Sequence, residues 1–96
     1  MDVHMTLQRR IAVLRAARDW TQADLARELG MSPNAFGERY RGTRDFRVQE
    51  IVRLAGVFDV PLHSLFDGLE KTTEYREANV RGKQLREAYG YDDDEL

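Results

Sequence analysis

Apolar residues recur along the chain at the three- and four-residue intervals of an α-helix, and no alternating, strand-like pattern persists. Leu7, Ile11 and Leu14 stand at i, i+4 and i+7 and predict a first helix over roughly residues 6–18, with Trp20 following as a core anchor. Thr21 with Asp24 three positions on is close to a capping box, so a second helix starts there, with Leu25, Ala26 and Leu29 as its narrow apolar face. Gly30 suits a left-handed cap at its end. Ser32-Pro33 is a second start signal: a capping hydroxyl, then proline at the first helical position. Two short helices therefore meet through a tight turn. The third runs from Pro33 to about Arg41 with Phe36 and Tyr40 inward, and Gly42 ends it.

Gly37 lies inside that third helix at a cost of about 1 kcal/mol relative to alanine. A glycine there either packs closely on a neighbour or keeps a surface flat for a partner. The following loop, residues 41–47, carries three arginines, Arg41, Arg44 and Arg47. Val48, Ile51, Leu54, Ala55 and Phe58 mark a fourth helix, which Val60-Pro61 stops. Residues 61–67 read as a short fifth helix with Leu62, Leu65 and Phe66 inward, closed by Gly68. A last segment, residues 72–89, is amphipathic but weaker: Tyr75, Ala78, Leu85 and Tyr89 share a face that Gly82 interrupts.

Composition narrows what this helical chain can do. Its 96 residues hold one domain with an appended element. We divide it into a domain over residues 1–68, a helical extension over 69–90 and an acidic tail over 91–96 that should be disordered. A third of the residues are charged, yet the net charge is only −2, so a nucleic-acid partner must be argued from where the charges lie. Residues 1–68 carry ten arginines against nine acids; residues 69–96 carry five bases against eight acids, with Asp92, Asp93, Asp94 and Glu95 at the end. The absence of cysteine excludes disulfides, thiolate zinc sites and a cysteine nucleophile. His4 and His63 lack metal-ligand spacing. His63, Ser64 and Asp67 include triad residue types, but on one short helix they cannot form a relay, so an enzyme is not expected. No glycine-rich phosphate loop is present and no cofactor is implied. No apolar run approaches the roughly 18 residues of a membrane span, and the start lacks a secretory leader, so a cytoplasmic location is expected.

The set Gln22, Leu25, Ala26, Gly30, Met31, Ser32, Phe36 and Gly42 is joined downstream by Ile51, Leu54, Ala55, Val60-Pro61 and Leu65-Phe66. Together they resemble the Cro/CI repressor type of helix-turn-helix domain over about residues 7–67. The resemblance implies an all-α five-helix bundle, here with an additional C-terminal helix and acidic tail, whose third helix enters the DNA major groove. It implies that the positions matching Pro33, Asn34 and Glu38 reach base edges and that the Gln22 amide contacts a phosphate. Proline offers no side-chain hydrogen bond, so Asn34 and Glu38 should do the reading, asparagine at adenine N6 and N7 and glutamate at cytosine N4. Ser32, Gly37, Arg41 and Thr43 complete the expected DNA-facing set, with Arg41, Arg44 and Arg47 on phosphates. The bland alternative for Glu38 is an exposed pair with Arg41 three residues on. Arg9, Arg10, Arg27 and Arg53 read as solvated, and Trp20, Phe36, Phe58 and Phe66 as core. The chain departs from its relatives in three places. Tyr40 replaces a glutamate that often pairs with a base matching Arg15, leaving Arg15 to stack on Tyr40 or bond its hydroxyl. Gly37 replaces a serine-like residue, and Phe46 a proline.

These features point to a sequence-specific transcriptional regulator, repressor-like, binding double-stranded DNA at a two-fold operator as a homodimer. The stripe on the last helix either makes the dimer contact or folds back on the core. Two other readings share the fold: an antitoxin that holds a protein partner through its C-terminal extension, and a protein-interaction adaptor without DNA affinity.

Overall fold

In the computed structural model, which describes residues 2–90, the chain forms α1 (Val3–Ala16), α2 (Gln22–Glu28), α3 (Pro33–Arg41), α4 (Val48–Phe58), two 3-10 turns (Leu62–Phe66 and Leu69–Lys71) and α5 (Thr73–Tyr89). The described residues contain no strand. The expected acidic tail, residues 91–96, lies outside them. α1 begins three residues before the hydrophobic pattern suggests, because the Asp2 carboxylate accepts the Met5 N–H at 2.6 Å and caps the first turn.

The turn between α2 and α3 follows from local chemistry alone. Thr21 and Asp24 close a reciprocal capping box: Thr21 Oγ1 accepts the Asp24 N–H at 3.0 Å and Asp24 Oδ2 accepts the Thr21 N–H at 2.9 Å. Gly30 takes a left-handed conformation (φ +71°), which lets the Met31 N–H return to the Ala26 carbonyl at 2.9 Å. Ser32 Oγ then accepts the Ala35 N–H at 3.1 Å, and Pro33 opens α3. At nine residues α3 cannot stand alone. It is held by Phe36 and Tyr40, both buried and meeting edge to face at 5.8 Å. Phe46 packs on Phe36 at 6.4 Å, which gives the aromatic in place of proline a structural role.

One core joins these helices: Leu7, Ile11 and Leu14 of α1, Leu25, Ala26 and Leu29 around α2, Leu54, Ala55 and Phe58 of α4, and Leu65. Arg18 links the ends of α1 and α4. Its guanidinium donates to the Leu14 and Phe58 carbonyls and lies 5.1 Å from the Phe58 ring centroid. Trp20 stacks on the same ring at 5.9 Å but is only half-buried, so it covers the core rather than anchoring its centre.

Four expectations are corrected. The fifth helix is a 3-10 turn, with three residues per turn, so Leu65 points inward while Leu62 and Phe66, expected in the core, remain 43% and 41% exposed. α4 stops at Phe58, before Val60-Pro61, because Asp59 adopts the left-handed conformation (φ 55°). Arg15 neither stacks on Tyr40 nor bonds its hydroxyl; its Nη1 donates to the Trp20 carbonyl at 2.8 Å. Gly82 does not interrupt α5, which runs unbroken to Tyr89.

α5 also does not fold back. Its root is fixed: buried Thr72 caps it, accepting the Tyr75 N–H, and Glu74 Oε2 accepts the Val3 N–H at 3.1 Å. No residue within α5 is buried, and Tyr75, Leu85 and Tyr89 are 45%, 45% and 68% exposed. The described chain is therefore elongated, 49 × 25 × 21 Å, with a radius of gyration of 16.2 Å. A compact chain of this length would have about 12 Å.

Candidate nucleic-acid interface

With Phe36 and Tyr40 turned inward, Pro33, Asn34, Gly37, Glu38 and Arg41 occupy the other side of α3. Pro33, Asn34 and Arg41 are exposed and Glu38 is half-buried. Gly37 is buried, and what covers it is Arg41. A Cβ on Gly37 would stand 2.8 Å from Arg41 Nη1 and 3.6 Å from Cζ. A long side chain on a helix leans toward the N-terminus, so the last residue of α3 lies back over the preceding turn. The surface expected from Gly37 is thus supplied by the Arg41 guanidinium.

Glu38 pairs with Arg44, not with Arg41: Arg44 Nε stands 2.8 Å from Glu38 Oε2, with both side chains solvent-facing. The Glu38 carbonyl accepts the N–H groups of Gly42, Thr43 and Arg44 at 3.1, 3.0 and 3.2 Å, and the Thr43 hydroxyl at 3.1 Å. The first residues of the arginine loop are thereby wrapped onto the end of α3. Gly42 permits the turn with φ +86° and packs against the His4 imidazole, which a Cβ there would meet at 2.7 Å.

The remaining candidates surround this face. Gln22 is exposed at the first position of α2. The Ser32 hydroxyl is committed to the cap of α3. Thr43 and Arg47 are exposed, Arg47 at the start of α4. Beside the turn lies an open depression of about 460 Å³ whose lining includes Ser32, Ala35, Arg47, Gln49 and Arg53. Arg53 is exposed, as expected of a solvated residue, and Gln49 one turn before it on α4 is exposed as well.

Behind the face is an ion pair that periodicity did not reveal. Arg39 Nε stands 3.1 Å from Glu50 Oε1, with side chains 12% and 9% exposed. Arg39 Nη1 also donates to the Ala35 carbonyl at 3.3 Å, and Glu50 Oε1 accepts the Arg47 N–H at 2.8 Å. Burial pushes the Glu50 carboxyl up, but the Arg47 N–H and the Arg39 guanidinium outweigh it and hold the group below its ordinary value. On exposed α2, hydrogen bonds from the Thr21 backbone and hydroxyl likewise lower the Asp24 carboxyl.

His63, Ser64 and Asp67 form no relay: Ser64 Oγ donates to the Pro61 carbonyl at 2.8 Å, and Asp67 faces Arg10 at 3.9 Å. Among the described residues no cluster of three acidic or histidine side chains could hold a metal ion, and no helix is long and apolar enough to cross a membrane.

A helix-turn-helix family model matches residues 11–65, more than half of the chain. The chain belongs to this family and carries a DNA-binding domain of the phage-repressor type, a non-enzymatic class of transcription-regulator module. No curated protein and no solved structure gives a match.

Proposed function

We propose that the chain is a sequence-specific transcriptional regulator, repressor-like, that reads the major groove with α3 and binds a two-fold operator as a homodimer. The observation that carries this reading is the division of α3 into two faces. Phe36, Tyr40 and the Arg39–Glu50 pair hold one side to the core, while Asn34, Glu38 and Arg41 occupy the other beside Arg44 and Arg47. Asn34 supplies the donor and acceptor that match adenine, and Glu38 an acceptor for cytosine N4. Gln22, Thr43, Arg44, Arg47 and Arg53 lie where phosphates flank a helix seated in the groove.

One such module buries too little surface for high specificity, and a dimer sets two reading helices about 34 Å apart. α5 suits the joint. Tyr75, Ala78, Gly82, Leu85 and Tyr89 are spaced 3, 4, 3 and 4 residues apart, the interval of a two-helix seam. Nothing lies within 4 Å of where a Gly82 Cβ would be, so the seam is open to a second helix.

Selection of duplexes from a random library by the full chain, with sedimentation of the free protein, tests both parts. A recovered inverted repeat and a dimer are expected. No retained duplex at low salt favours the adaptor, and co-purification of a small toxic protein favours the antitoxin.

A further inference from the structure

Among the described residues the Arg41 guanidinium on the outward side of α3 makes no hydrogen bond or ion pair, while Arg39 is held by Glu50 and Arg44 by Glu38. The carboxylate that would capture it at i−3, that of Glu38, is already taken at 2.8 Å. Its guanidinium rests over Gly37, with Nη1 2.8 Å from the position of a Cβ. Asn34 lies two turns before it on the same stripe.

The geometry points to Arg41 as a guanine-reading residue, with Gly37 as the residue that positions it. This rests on the DNA-reading function proposed above and departs from the phosphate role that the loop arginines suggest. A phosphate contact is made from the flanks of the reading helix, where Arg44 and Arg47 stand. A guanidinium laid back along the outward face, between the stripe of Asn34 and Glu38, meets the groove floor. Its planar fork of donors matches guanine O6 and N7, and a lysine ammonium does not reproduce that fork. Glycine inside a helix costs stability relative to alanine. At position 37 it leaves the space that Arg41 fills; any larger side chain lifts the guanidinium away.

The test uses the full chain on a random duplex library, followed by titration of the best duplex, the same duplex with its guanine replaced, and random DNA. Wild type should select a guanine whose replacement weakens binding about tenfold or more. Arg41→Ala and Arg41→Lys should both lose that preference, and Arg41→Lys should keep its affinity for random DNA. Gly37→Ala should melt no lower than wild type, because only a flexible side-chain end must move, yet lose the same preference. An unchanged motif in Arg41→Ala, or equal losses on selected and random duplexes, overturns the base-reading role and returns Arg41 to the phosphates. An unchanged motif in Gly37→Ala overturns the positioning role. A wild-type chain that selects no motif fails the DNA-reading function itself, a result distinct from both.

Discussion

Arg39 of α3 meets Glu50 of α4 at 3.1 Å in a nearly closed environment, and the same carboxylate oxygen takes the Arg47 N–H that opens α4. One carboxylate thus ties α3 and the end of the arginine loop to the start of α4. Removing one partner of a buried pair leaves the other charge uncompensated. Glu50→Ala should cost about 3 kcal/mol of stability, measured by urea denaturation at neutral pH.

The same residue gives the fold an acid limb. The folded-state value of Glu50 lies below its ordinary 4.5, so its contribution is present above that pH and is lost as pH falls through the depressed folded value. Asp24 acts in the same direction from its ordinary 3.8. Glu50→Gln should therefore be less stable than wild type at pH 7, with the gap narrowing as pH falls below 4.5. A gap that stays constant over that range would show that Glu50 contributes through packing alone.

Asn34→Ala should cost roughly 1–3 kcal/mol on the selected operator and flatten one position per half-site, with little effect on random DNA. Competitive titration of the two duplexes separates these outcomes. Equal losses on both would remove Asn34 from the base readers.

Glu38 and Arg44 make opposite predictions because they neutralise each other in the free protein. Arg44→Ala should weaken binding to every sequence and lower the salt slope by about one unit. Glu38→Gln releases Arg44 and should strengthen binding to random DNA while altering the selected motif. An exposed pair of this kind contributes at most about 1 kcal/mol, so neither change should shift the urea midpoint appreciably.

Placing aspartate at Leu85, on the exposed face of α5, should convert the proposed dimer to a monomer whose own fold is intact, since no core contact is lost, and whose melting temperature no longer rises with protein concentration. Sedimentation at micromolar concentration reads this directly. Operator affinity should fall together with dimerisation, whereas affinity for random DNA should change little.

The turn and α3 were legible because their signals act over three or four residues: the Thr21–Asp24 box, Gly30, and Ser32-Pro33. Phe66 was misplaced because a 3-10 turn and an α-helix send the same apolar letters in different directions. Gly82 was overweighted: one glycine costs about 1 kcal/mol, which the rest of a 17-residue helix absorbs. Arg39–Glu50 and the Arg18 link to Phe58 join separate helices, so no local period announces them. The covering of Gly37 by Arg41 depends on which way a side chain leans. Gln22, Asn34 and Arg47 are exposed, as the resemblance leads one to expect.

Four donors converge on the single carbonyl oxygen of Glu38, from Gly42, Thr43 twice and Arg44. Loop start and helix end are consequently tied together. On the function proposed above, this sets the separation of the base-facing and backbone-facing groups, so a duplex whose groove is too wide or too narrow should have to yield itself rather than be met by a swinging loop. The energy of that yielding depends on dinucleotide steps that no side chain touches. Operators should therefore rank by pliancy as well as by lettering, and two sites sharing every contacted base should still differ in occupancy.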